Sequence, residues 1–170
     1  MLRSFPHCPN KYFIETGSYY GQGIQIALNS NLFEEIYSIE LAPHFYEHCK
    51  KAFAYRPNVK LFLGNSGEIL PKILNQIEAP ATFWLDGHYS SDNTAKGITN
   101  NPILEELESI RRHSIKNHTI MIDDVRLFGT SEFDFIEIEE IKNKVLEINS
   151  NYKITFYDGT IPNDILVAMV

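Results

Sequence analysis

Seven short apolar runs, separated by stretches of helical period, constrain this chain more than any other feature of its sequence. Lys11 to Thr16, Glu35 to Leu41, Val59 to Leu63, Ala81 to Leu85 and Thr119 to Ile122 each have the length of a strand. Such compact apolar runs suit strands buried on both faces. Between and after them lie candidate helices at Gly21 to Asn31, Pro43 to Tyr55, Gly67 to Ile77, Pro102 to His113 and Phe133 to Asn149. The third gathers Ile69, Leu70, Ile73, Leu74 and Ile77 on one side, and the fourth turns Ile103, Leu104, Leu107 and Ile110 inward. Pro43 opens the second, where its missing N–H costs nothing. Alternation of this kind predicts an α/β fold with a doubly wound, mostly parallel sheet and helices on both faces. Lys153 to Tyr157 and Ile165 to Val170 follow as a closing hairpin, so the last of the seven strands is expected to run antiparallel.

The length of 170 residues is that of one domain, expected over 1–170, and 44% apolar residues suffice for a core without staples. Fifteen Lys and Arg against 22 Asp and Glu leave a net charge of −7. An acidic chain without a basic run is a poor ligand for nucleic acid or anionic lipid, so neither is an expected partner. No apolar run approaches the roughly 20 residues that span a bilayer, and Met1 to Asn10 lacks the apolar stretch of a signal peptide. Cys8 and Cys49 have no framework spacing, which suggests reduced thiols and a cytoplasmic location.

In a doubly wound sheet, ligands bind beyond the carboxyl ends of the strands. The first strand is followed by Glu15-Thr16-Gly17-Ser18-Tyr19-Tyr20-Gly21-Gln22-Gly23. Glycines at 17, 21 and 23 are read as allowing a tight turn and close approach of a ligand, with helix N–H groups beyond them. Glu40 closes the second strand, where a carboxylate accepts hydrogen bonds from both hydroxyls of a ribose. Together they predict a nucleoside ligand.

The E-x-G-x-x-x-G-x-G pattern is wider than the dinucleotide fingerprint and is led by an acid. It resembles the first motif of the class I S-adenosylmethionine-dependent methyltransferases, whose fold is Rossmann-like. The resemblance covers Lys11 to Val170. It implies S-adenosylmethionine as cofactor in place of NAD, with Glu15, Gly17, Ser18, Gly21 and Glu40 as contacts. Asn65 and Ser66, after the third strand, fall where the family contacts the adenine, and Asp86 stands beside the cofactor.

The fourth strand ends in Asp86-Gly87-His88-Tyr89 and the fifth in Asp123-Asp124-Val125-Arg126-Leu127-Phe128-Gly129. Three carboxylates on one sheet edge repel one another unless protons or a cation intervene, and oxygen donors suit Mg²⁺. The constellation resembles the divalent-metal-dependent O-methyltransferases of the catechol, caffeoyl-CoA and macrocin types. By that resemblance Asp86, Asp123 and Asp124 would hold the metal. The catechol type has a lysine base where this chain has Tyr89, so His88 becomes the candidate base, with Asp86 as its catalytic companion. The other readings are that His88 hydrogen-bonds substrate or a neighbouring site residue and that Asp123 or Asp124 caps the turn after the fifth strand.

Ser91 to Asn101 reads as a lid over this edge, with Lys96 facing an anionic substrate group. Tyr19 and Tyr20 suit either cofactor stacking or packing. His44 and His48, a helical turn apart, lack the further ligands of a zinc site. Arg111 and Arg112 suit a helix C-terminus, and Glu137, Glu139 and Glu140 a solvated helix face. The resulting expectation is Mg²⁺-assisted O-methylation of a small molecule or glycan. The alternatives are a metal-independent N- or O-methyltransferase and a non-catalytic cofactor-binding module. With little chain before the first strand, the acceptor pocket would be completed by the lid, by the second copy in a homodimer or by a partner.

Overall fold

The computed structural model describes residues 10–87 and 101–170. Seven strands, β1 (Tyr12–Thr16), β2 (Glu35–Glu40), β3 (Val59–Leu63), β4 (Ala81–Leu85), β5 (Thr119–Ile122), β6 (Lys153–Tyr157) and β7 (Ile165–Met169), form one sheet. Their order is β3-β2-β1-β4-β5-β7-β6, with β1 to β5 parallel. β7 enters antiparallel between β5 and β6. The predicted fold class is therefore the observed one, and the closing hairpin is inserted with its second strand inside the sheet.

Helices α1 (Gln22–Ser30) and α2 (Pro43–Ala52) cover one face, and α3 (Ser66–Leu74), α4 (Ile103–Arg112) and α5 (Ile138–Ile148) the other. Phe13, Ile24, Ala27, Phe33, Ile36, Cys49 and Trp84 pack the first layer, and Ile14, Tyr37, Leu70, Phe83, Leu107, Ile120 and Val145 the second. β1, β4 and β5 are buried throughout, as two-sided burial requires, whereas the edge strand β6 alternates between exposed and half-buried positions. The last helix, expected from Phe133, begins only at Ile138. Asp134 and Phe135 adopt φ of 52° and 58°, which a right-handed helix excludes, and Phe133 turns into the core. No helix among the described residues is long and apolar enough to cross a membrane.

Between β1 and β4 the winding direction reverses, opening a crevice at their carboxyl ends. Gly17 and Asp86 meet there, and the Gly17 amide donates to the Ile39 carbonyl at 2.9 Å.

Candidate functional site

The three glycines of the first loop do three different things. Gly17 has φ +82°, and a Cβ on it would lie 2.3 Å from the Asp86 carbonyl oxygen, so neither geometry nor space admits another residue. Gly21 is the N-cap of α1, packed beside Phe53 and Cys49. Gly23, read from sequence as part of the turn, is inside α1, and its absent side chain makes room for Glu15: a Cβ would lie 1.7 Å from Glu15 Oε1.

Glu15 and Ser18, expected as cofactor contacts, are buried beneath the loop, 1% and 2% exposed. Ser38 Oγ–H donates to Glu15 Oε2 at 2.6 Å, and Ser18 Oγ stands 2.5 Å from Ser38 Oγ. A hydroxyl chain thus ties β1, β2 and the loop together, and Ser38 is a member that motif reading missed. Burial pushes the Glu15 carboxyl up to about 8; the Ser38 bond opposes this, and Asp86 and Glu40 add to it. The folded chain therefore holds this proton where the unfolded chain, near 4.5, has lost it. Stability from this group is expected to fall as pH rises from 4.5 toward 8, by up to about 1.4 kcal/mol per unit. Urea unfolding across that range checks it: Glu15→Gln should remove that share of the slope, and a slope left intact would refute it.

Glu40 closes β2, nearly buried, and aims its carboxylate at two backbone donors. Tyr19 N–H donates to Oε2 and Ala42 N–H to Oε1, each at 2.8 Å. Each oxygen retains a lone pair for a ligand. The N-terminus of α1 has no side-chain cap and no acid in its first turn, which leaves N–H groups for a carboxylate. Tyr19 and Tyr20, about half exposed, pack on each other at 4.6 Å and on Phe45 at 4.5 and 4.9 Å. Asn65 caps α3 by accepting from Gly67 N–H at 2.8 Å, so its amide group stays available as a donor. Ser66 turns toward α4.

What Ser66 meets is Glu106, 1% exposed on the inward face of α4. The apolar period assigns that face to Ile103, Leu104, Leu107 and Ile110, and Glu106 lies on the same stripe. Burial pushes its carboxyl up to about 7 against hydrogen bonding by Ser66 and Thr16, with Glu105 and Asp86 adding to the rise. Thr16 Oγ1 also accepts from the Asp86 amide at 3.2 Å, linking the end of β4 to α4. Asp86 and Asp123 line the same small cavity as Glu106. Burial, then Asp86, hold the Asp123 carboxyl above the usual range, although the Asp124 amide donates to it at 2.9 Å.

The three predicted metal ligands are not gathered into one set. Among the described residues, the carboxylates whose oxygens come within 4.8 Å of one another are those of Asp123, Asp124 and Asp164, and Asp86 stands outside the group. Arg126 already bonds Asp124 at 2.6 Å and pairs with Asp164. Asp164, read from sequence only as part of a turn, arrives because β7 is antiparallel: its first residues lie beside the end of β5, where the Val125 amide donates to the Asp164 carbonyl at 2.9 Å.

His88, Tyr89 and Lys96, and all of the expected lid except Asn101, lie outside the described residues, as does Cys8. Asn101 Oδ1 accepts from Ile103 N–H and the Asn101 backbone N–H donates to Asp134 Oδ2, fixing the start of α4. His44 and His48 are exposed on α2, with His48 edge-on to Tyr20 at 5.1 Å. Arg111 and Arg112 both pair with Glu108, and Glu137, Glu139 and Glu140 are exposed as expected.

No protein-family model and no curated protein matches the sequence. Solved structures do match the fold. The O-methyltransferase TomG of Streptomyces achromogenes, involved in tomaymycin synthesis and solved with S-adenosylmethionine, is 16% identical at TM-score 0.62, over 95% of this chain and 74% of its own. The Podospora anserina methyltransferase PaMTH1, bound to S-adenosylhomocysteine, is 13% identical at 0.62, over 94% and 71%. Spermidine synthase of Thermotoga maritima is 13% identical at 0.62, over 96% of this chain but only 55% of its own.

Proposed function

We propose that this chain, which has the fold of the class I S-adenosylmethionine-dependent methyltransferases, is an enzyme of that kind acting on a small-molecule or glycan acceptor. The observation that carries the reading is Glu40, a nearly buried carboxylate at the end of β2, held by two backbone N–H groups beside the loop of Gly17. The donor set fits the cofactor: Glu40 for the ribose diol, the uncapped α1 N-terminus for a carboxylate, and Asn65 for the adenine. When bound, S-adenosylmethionine supplies a methyl group on an electrophilic sulfonium, so the protein's task is chiefly orientation. Gly17 lets the loop pass against the Asp86 backbone, and the Glu15–Ser38–Ser18 chain keeps that loop rigid from below. Asp86, at the crevice mouth, is suited to meet the acceptor or the cofactor.

Mg²⁺ assistance is the second reading, favoured by the convergence of Asp123, Asp124 and Asp164. Of the set expected from resemblance, Asp86 stands outside that cluster, and Arg126 already neutralises part of it. No catalytic step is therefore assigned to a metal. Calorimetric titration with S-adenosylhomocysteine, with Mg²⁺ and then with EDTA, tests both. Binding indifferent to EDTA is the expected result. Mg²⁺-dependent heat that Asp124→Ala removes would establish the second reading, and absence of any binding would refute the first.

A further inference from the structure

At the amino edge of the sheet, opposite the crevice, two histidines form a pair that the cofactor reading does not use. His118 stands just before β5 and is 1% exposed, and His113 follows the last turn of α4, half-buried. The Ala81 N–H, at the start of β4, donates to His118 Nδ1 at 3.0 Å, and His118 Nε2 lies 3.0 Å from His113 Nδ1. An amide N–H can only donate, so His118 Nδ1 is bare and the neutral ring carries its proton on Nε2. That proton is donated to His113 Nδ1, which leaves the proton of the second ring on its own Nε2. Only this arrangement of protons satisfies all three groups. A proton added to His113 would set two donors against each other between the rings, and one added to His118 would do the same at Ala81.

The surroundings also oppose a proton. Burial, then His113 and Lys116, push His118 down to about 3, against the pull of the Ile115 backbone. Burial lowers His113 as well, with Lys116 and against the Ile77 and Leu74 backbone at the end of α3. Phe83 meets the His118 ring edge-on at 5.1 Å, and Tyr152 lays its buried hydroxyl against the His118 backbone. On α4, Arg111 and Arg112 are paired with Glu108, and Lys116 bonds the Arg111 carbonyl. The pair thus joins α3, β4, α4 and β5, and each carries a candidate-site residue toward its other end: Asn65, Asp86, Glu106 and Asp123. We propose that His113 and His118 form a proton-operated latch, closed at neutral pH and opened by mild acid, which releases the end of α4 from the starts of β4 and β5. Once released, each ring takes a proton near 6.5, so below that value the open form gains up to about tenfold per pH unit for each ring. The latch does not depend on what the crevice binds.

Global unfolding is a poor readout, because Glu15, Glu106 and Asp123, held protonated by burial, shift stability with pH in the opposite direction. Local hydrogen exchange of the full chain, followed by NMR and corrected for the intrinsic pH dependence of amide exchange, separates the two. Protection of the Ala81 and His113 amides is expected to fall at least about tenfold from pH 7 to pH 5, and amides of β1, beside Glu15, to fall less. The double substitution His113→Gln with His118→Gln keeps donors and acceptors but takes up no proton, and should remove this pH dependence at Ala81. Should that variant fail to fold, imidazole nitrogen spectra of the wild-type chain test the same arrangement. At neutral pH both rings are expected to carry their proton on Nε2. Protection that holds from pH 7 to pH 5, a pH dependence that survives the double substitution, or a His118 proton on Nδ1 would each overturn the proposal.

Discussion

Alanine at Glu40 is expected to weaken S-adenosylhomocysteine binding at least a hundredfold. Two charge-assisted hydrogen bonds to a ribose diol are worth roughly 1.5–3 kcal/mol each, and about 1.4 kcal/mol is a factor of ten in affinity. The same carboxylate fixes the Tyr19 and Ala42 amides at 2.8 Å, so its loss also frees the glycine loop that the cofactor would meet. Glu40→Gln keeps an acceptor oxygen and should fall between wild type and alanine. Calorimetric titration reads both variants, and an alanine variant within threefold of wild type would remove the central argument for a nucleoside cofactor.

The second large effect concerns packing. Gly23→Ala is expected to destabilise the chain by about 3 kcal/mol or more, measured by urea unfolding. Alanine ordinarily gains roughly 1 kcal/mol over glycine inside a helix, so the expected sign is opposite to propensity. The reason is Glu15, whose Oε1 occupies the place of the new methyl at 1.7 Å and would be driven off Ser38. Removing the obstacle should reverse the effect: Glu15→Ala with Gly23→Ala is expected to be more stable than Gly23→Ala alone, with a coupling of at least about 1.5 kcal/mol. Additive losses in that cycle would show that Gly23 serves the backbone and not the buried acid.

The order of elements was legible because buried parallel strands need no polar face. β1, β4 and β5 therefore stand out as short uninterrupted apolar runs, and the helices between them keep their own period. Gly17, Glu40, Asp86 and Asp123 were legible for a related reason: each follows or ends a recognisable strand, and in a parallel sheet all such ends share one edge. Glu15 was visible as an acid but not as a buried one, because whether its carboxyl faces a ligand or α1 depends on Gly23 and Ser38. The early start expected for α5 failed at Asp134 and Phe135, where two consecutive left-handed residues turn Phe133 into the core.

The sequence by itself determined the α/β class, the edge of the sheet at which the candidate site lies, and the acid that closes β2, since these follow from local pattern and strand direction. Tertiary structure alone decided that Glu106 joins Asp86 and Asp123, that Asp164 and Arg126 enclose Asp124, and that Glu15 and Ser18 lie beneath the loop. A charged residue on a helix is ordinarily solvated, and nothing local distinguishes one that is not. Only the packing of α4 over the crevice, and the insertion of β7 antiparallel beside β5, bring these groups within reach of one another.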